Sequence, residues 1–194
     1  MASPPVHSRA PSTPADDPGL AVWRDHTFLQ MLAEGFRFVA KIVRSGDPLD
    51  LGRLSEGVAI HRAFVVDLHQ RRLAVFERVL GGLAGNPYAN GIEECHRAQA
   101  SAERASAELE DEVQRLKSGD SGMREALSAR LEHEAQRWSV HFHREADELF
   151  PGLDRRSGEE RRALATGLTP IWNGSAAVEE RLTSWTSRLG PSSD

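Results

Sequence analysis

Four long stretches of this chain repeat apolar side chains at three- and four-residue steps, and each stretch is stopped by a Gly/Pro-containing break. That rhythm is the one-sided apolar stripe of an amphipathic helix, and it leaves little room for any fold except helices packed on helices. From about Ala21 to Arg44 the stripe is Val22, Leu29, Leu32, Phe36, Val39 and Val43, closed by Gly46-Asp47-Pro48. From about Asp50 to Leu83 it is Leu54, Val58, His61, Val65, Leu68, Leu73, Phe76, Leu80 and Leu83, broken by Gly85-Asn86-Pro87. A third run, about Ala89 to Leu116, carries Ile92, Cys95, His96, Gln99, Ala102, Leu109 and Val113 and is rich in the strong helix formers Ala and Glu. The fourth follows Lys117-Ser-Gly-Asp-Ser-Gly122 with Met123, Leu127, Leu131, Trp138, His141 and Leu149, and ends at Pro151-Gly152. Long helices joined by short breaks predict an all-α protein, an up-down-up-down four-helix bundle over residues 19–153.

The flanks read differently. Residues 1–18, with Pro4, Pro5, Pro11, Pro14 and Pro18, offer too few apolar groups to offset chain entropy and are expected to form a disordered arm. Residues 154–194 predict a short helical C-terminal extension. It comprises a charged helix around Glu159 to Ala165, a break at Thr169-Pro170, and a last amphipathic helix bearing Val178, Leu182, Trp185 and Leu189. Trp172 and Trp185 are placed to cover one end or flank of the bundle.

Charge and composition exclude several classes. A net charge of -5 with interspersed signs is not the clustered basic footprint of a nucleic-acid binder. No apolar run approaches the ~20 residues a membrane span needs, and no basic-then-apolar leader opens the chain, so a cytoplasmic protein without a membrane partner is expected. The single cysteine, Cys95, rules out a disulfide framework or a Cys-rich zinc site. Adjacent helical residues diverge by about 100 degrees, so Cys95 and His96 do not form a nucleophile–base pair. No Gly-rich phosphate loop follows a strand pattern.

Chemistry concentrates in the fourth run. His141 and Glu145 lie one helical turn apart and belong to the inward rhythm Trp138, His141, Glu145, Leu149. A carboxylate sent into an apolar interior costs several kcal/mol unless a cation, a donor or protonation offsets it. In an antiparallel bundle the starts of helices one and three share an end with the finishes of helices two and four. His26 and His96 sit near helix starts, while His69 and His141 sit in the second halves of theirs, so one histidine per helix approaches the same depth. A lone inward histidine is ordinarily a hydrogen-bonded core residue; four at comparable depth, with Glu145 a turn beyond, point to a metal site of His26, His69, His96, His141 and Glu145. His61, eight residues before His69, is ~12 Å away along the axis and suits a polar core role, with Glu134 as an inner network anchor. His143 and His133 are expected to face solvent, and His7 lies in the arm.

The segment His141-x-x-Arg-Glu145-x-x-x-Leu-Phe-Pro151, with Asp25-His26 before it and Glu94-Cys-His96 in the third run, resembles the hemerythrin-like, or HHE cation-binding, family. The resemblance spans about residues 20 to 151, with His69 and Arg72 falling where the family has H-x-x-K. It implies a four-helix bundle around non-heme iron that handles a diatomic or peroxide ligand. The chain departs from the pattern at Leu73 and Ala146, where the family places carboxylates that bridge two irons, and at Ala100, where oxygen carriers have a further histidine. Without bridging acids two closely spaced ferrous ions lose charge compensation, so of a centre with one ion or two, the single ion is favoured. Three readings follow. One is an atypical iron site that handles or senses oxygen, peroxide or nitric oxide. Another is an oxygen-activating enzyme of specialised metabolism that turns over an unidentified small molecule. The third is a degenerate, metal-free bundle acting as a scaffold or interaction domain.

Overall fold

The computed structural model describes residues 18–81, 88–148 and 158–189, and these are helical apart from short connecting turns. Helix α1 runs Pro18–Ser45 and α2 runs Leu51–His61. A π-helical segment, Arg62–Leu68, joins α2 to α3, His69–Leu80. Helices α4, Ala89–Lys117, α5, Met123–Glu148, and α6, Gly158–Ser187, complete the order. Of the arm expected over residues 1–18, Pro18 instead opens α1, and residues 1–17 lie outside the described residues, as does the Leu-Phe-Pro151 end of the fourth-run motif.

Local chemistry explains the boundaries. The side chain of Asp50 accepts from the backbone N–H groups of Gly52 and Arg53, capping α2 where its first amides lack partners. The turn after α1 needs Gly46, whose φ of 77° is left-handed, and the turn after α4 needs Gly119, at 96°.

Side-chain pairs fix the directions. His26 meets Glu145, Arg37 meets Ser139 and Arg44 meets Glu132, so α1 and α5 run antiparallel. Arg144 with Glu94 and Arg130 with Glu112 set α4 against α5 in the same sense. Arg62 with Glu110 and Glu77 with His96 do so for the α2–α3 run against α4. Phe36 with His61 and Asp25 with Arg72 close the ring back to α1.

The C-terminal region differs from expectation. In place of a short helix, a break and a second helix, α6 is one helix of 30 residues that continues through Pro170. Pro170 lacks the backbone N–H that would bond the Thr166 carbonyl, so the helix continues with one ladder bond fewer, while beside it Thr169 Oγ1 donates to the Ala165 carbonyl at 2.7 Å. On either side of the proline the helix buries Leu164, Leu168, Trp172, Leu182 and Trp185. Trp185 is fully buried and donates from Nε1 to the Arg53 carbonyl at 2.8 Å. Its ring rests on Gly35 of α1 and Gly57 of α2, where an added Cβ would lie 2.3 and 2.5 Å from ring carbons. Glycine at both positions is what admits the indole.

The buried apolar side chains form two clusters. One joins α1, α2, α4, α5 and the end of α6 around Phe36, Leu109, Leu131, Trp138 and Trp185. The other joins α3, the start of α4 and the first half of α6 around Leu73, Phe76, Ile92 and Trp172. Charged and imidazole side chains lie where the two meet: His69 packs edge-on to Trp138 at 5.6 Å, and Arg72 lies over Phe76 at 5.9 Å.

Candidate metal centre

Two helices bring His69, His141 and Glu145 together, α3 supplying the first and α5 the other two, all nearly buried. One donor atom from each lies within 4.8 Å of the others, the only such histidine–carboxylate group among the described residues. His69 Nε2 is 3.2 Å from His141 Nε2, and Glu145 Oε1 is 3.5 Å from the first and 3.6 Å from the second. Donors bound tetrahedrally at about 2.1 Å from one ion are about 3.4 Å apart, so the triangle already has the dimensions of a coordination face.

The orientation of His69 is determined by its neighbours. Gln99, buried on α4, donates from Nε2 to the Val66 carbonyl at 2.9 Å and to Glu103 Oε1 at 3.3 Å. Both are acceptors, so the amide oxygen must face His69, and it lies 3.0 Å from Nδ1. His69 therefore carries its proton on Nδ1 and turns the lone pair of Nε2 toward His141 and Glu145. Burial pushes the His69 pKa down to about 4, so the ring is neutral near pH 7. A neutral imidazole whose outer nitrogen is hydrogen-bonded and whose inner nitrogen is free is the form a metal requires.

The π segment places this residue. In it the His69 amide reaches the Phe64 carbonyl, five residues back. The insertion carries the buried stripe from Phe64 and Val65 to His69, Arg72 and Leu73, which uniform α-helical spacing had left with His69 only on the border.

Glu145 is held on several sides. Arg72 Nη2 bridges both carboxylate oxygens at 2.9 and 2.8 Å, His26 Nε2 donates to Oε2 at 3.0 Å, and the Cys95 thiol reaches Oε1 at 3.5 Å. Burial alone would raise the Glu145 carboxyl, but the Arg72 charge and the hydrogen bonds from His141 and His26 hold it well below the usual range. Arg72 also donates from Nη1 to Asp25 Oδ2 at 3.2 Å. Asp25 is nonetheless pushed up to about 6, because burial outweighs the attraction of Arg72. Burial likewise lowers His26 and raises the Cys95 thiol, so neither an imidazolium at 26 nor a thiolate at 95 belongs to the neutral-pH state.

Of the five expected ligands, His69, His141 and Glu145 converge directly, and His26 joins through Glu145. His96 does not: contrary to the inward orientation read from sequence, its side chain is half exposed and lies 3.5 Å from Glu77 on the surface. The buried face of α4 runs Ile92, Cys95, Gln99, Ala102 and Ser106, which turns His96 about 100 degrees away. Sequence reasoning missed Gln99 and Arg72 as parts of the site. Gln99 stood on the inward stripe and Arg72 one turn after His69, so position could have flagged both.

His61 and Glu134 form a separate buried pair 3.5 Å apart, with His61 stacked on Phe36 and Glu134 held by Arg137, the inner polar network expected of them. No helix among the described residues is long and apolar enough to cross a membrane. Compared with known protein families, curated proteins and solved structures, the chain matches none of them.

Proposed function

We propose that this protein is a hemerythrin-like four-helix bundle that binds a single transition-metal ion, most suitably iron, through His69, His141 and Glu145. One observation carries this reading. Three donors from two helices, His69 on α3 and the His141–Glu145 pair on α5, face one another at 3.2 to 3.6 Å, and the imidazole of His69 is locked by Gln99 with its lone pair inward. Two histidines and one carboxylate form a ligand set suited to non-heme iron, leaving positions open to an external ligand. An ion held there would offer those positions to oxygen, peroxide or nitric oxide. His26 and Arg72 orient the carboxylate, and Gln99 orients the imidazole. The paired-ion alternative is disfavoured because Leu73, at a usual bridging position, is buried in the apolar cluster with Phe76 and Ile92.

A second reading has its own support. Arg72 Nη2 already sits against both oxygens of Glu145, where a chelated cation would sit, so the carboxylate is compensated without a metal. That arrangement suits a metal-free bundle serving as a scaffold.

Metal content and melting temperature separate the two. Wild type prepared with ferrous iron should retain about one ion per chain and melt higher with metal than with chelator, because binding to the folded state stabilises it. His141→Ala should lose most of the metal and Glu145→Gln should weaken it. Equal metal content in wild type and His141→Ala would remove the site, and no metal-dependent melting shift in wild type would favour the scaffold.

A further inference from the structure

His141 belongs to two places at once. Its Nε2 faces His69 and Glu145, while the ring also lines a groove of about 360 Å³ between α4 and α5. Around it stand Arg97, Arg137, Arg144, His133 and Glu94. Arg97 and Arg144 reach out over the surface, more than half exposed, and both touch Glu94, at 3.0 and 2.8 Å. Arg137 lies deeper, holding Glu134 and donating to the Ala98 carbonyl at 3.1 Å. In the lining itself three guanidinium groups stand against one carboxylate, Glu94; Glu134 behind Arg137 and Glu93, 3.9 Å from Arg97, lie outside it.

The outer nitrogen of His141 is the second observation. The side chain is 6% exposed, yet among the described residues nothing hydrogen-bonds its Nδ1, whereas Nδ1 of His69 is held by Gln99. Ligating histidines ordinarily donate their outer N–H to a carboxylate, carbonyl or water, and that partner orients the ring. Among the described residues His69 has one and His141 does not. The groove is where such a partner would sit.

We propose that this groove is a binding site for a small oxyanion, a carboxylate or phosphate, which accepts the Nδ1–H of His141 and is drawn in by Arg97, Arg137 and Arg144. The site deepens the metal reading, on which its coupling to the centre rests. Without metal, the locked lone pair of His69 Nε2 calls for a proton on His141 Nε2, which leaves Nδ1 as an acceptor. Metal at Nε2 moves that proton to Nδ1 and turns it into a donor facing the groove. An oxyanion there favours the same tautomer, so each ligand strengthens the other by the same factor. Charge points the same way: Arg72, Glu145, ionised Asp25 and a divalent ion sum to one positive charge, which a monoanion neutralises.

The test follows the His141 ring by 15N-edited NMR while acetate, and separately inorganic phosphate, is titrated at constant ionic strength against a sodium chloride control. The titrations are run with chelator and again with zinc(II) as a diamagnetic ion. The expected result is a saturable shift in wild type, tightened by zinc, with Kd weakened about fivefold or more in R97S/R144S. The response should partly return in R97K/R144K, and both pairs lie on the surface, clear of the folded core. Whichever anion binds more tightly identifies the carboxylate or phosphate class. No saturable shift beyond chloride in either condition, or the same Kd in R97S/R144S, overturns the groove. A saturable, arginine-dependent shift in a protein that binds no zinc upholds the groove and ends the metal reading. Zinc binding without an oxyanion response does the reverse.

Discussion

A single nitrogen of Arg72, Nη2, bridges the two carboxylate oxygens of Glu145 at 2.9 and 2.8 Å, and both side chains are 2% exposed. A cation chelated by that carboxylate would have to displace it, so a metal at this site must approach Glu145 through Oε1, from the side of His69 and His141. Arg72→Met should therefore separate stability from metal binding. Removing one partner of a buried ion pair strands the other, and the metal-free variant should lose about 3–5 kcal/mol. The metal affinity of the folded variant should rise, because Glu145 is freed. Urea unfolding with chelator, beside a metal titration, reads both; a drop in metal affinity would mean that Arg72 assists coordination.

Gln99→Leu tests how the His69 imidazole is oriented. The substitution leaves the Val66 carbonyl and the His69 Nδ1–H without their buried partner, which should cost about 1–3 kcal/mol. It should also weaken metal binding about 10–100-fold. The ring nitrogen shifts of His69 in the metal-free protein should change from the Nδ1–H pattern to a mixture of tautomers. Unchanged shifts would show that packing against Trp138, and not the amide, sets the ring.

Acid should weaken the metal-free fold in a definite window. His69 has a folded pKa of about 4 against an ordinary 6.5, so between these values the unfolded chain binds more protons. Stability is then full above pH 6.5 and lost as pH falls toward 4, by up to about 3 kcal/mol. Asp25, raised from 3.8 to about 6, acts in the opposite sense: its contribution is present at low pH and lost as pH rises through 6. Asp25→Asn should accordingly make the acid loss steeper. Chemical denaturation from pH 4 to 7.5 checks both slopes, and a flat profile in wild type would contradict the neutral, buried His69.

The seat of Trp185 gives a packing test remote from the site. Gly57→Ala puts a methyl 2.5 Å from the indole, an overpacking that should cost about 1–3 kcal/mol. Trp185→Ala should cost about 3–5 kcal/mol. Because the two share one contact, the double variant should be less destabilised than the sum of the singles. Denaturation midpoints of the three variants decide it, and strict additivity would mean that the indole shifts freely.

Much of the helical layout was legible because α1, α4 and α5 keep an unbroken stripe, and their ends fall within a few residues of the Gly/Pro signals. What failed did so at definite residues. Pro170 read as a stop, yet α6 passes through it, since a proline penalty of a few kcal/mol is smaller than the burial gained by Leu164, Leu168 and Trp172 on one side and Leu182 and Trp185 on the other. At the site, the spacing of His141 and Glu145 was enough to aim both inward. His96 was misplaced because Cys95 and His96 compete for one stripe and the apolar thiol takes it. Arg72 was noted only at the family's lysine position and not as the partner of Glu145, because a guanidinium is seldom buried without two acids, and sequence alone does not bring Asp25 and Glu145 to it.

The π-helical segment decides which residue of this helix the centre can spare. Arg62–Leu68 holds the room of an extra residue between the part of the helix that carries His61 and the part that carries His69 and Arg72. Deleting the exposed Asp67 would take out that surplus residue, and the helix could close to regular pitch with His69 still toward Gln99 and Arg72 still toward Glu145. Deleting the equally exposed Gln70, in regular helix, has no surplus to draw on and would turn all that follows by about 100 degrees. In a gene encoding such a chain, the loss of one codon would spare the centre at position 67 and take Arg72 away from Glu145 at position 70.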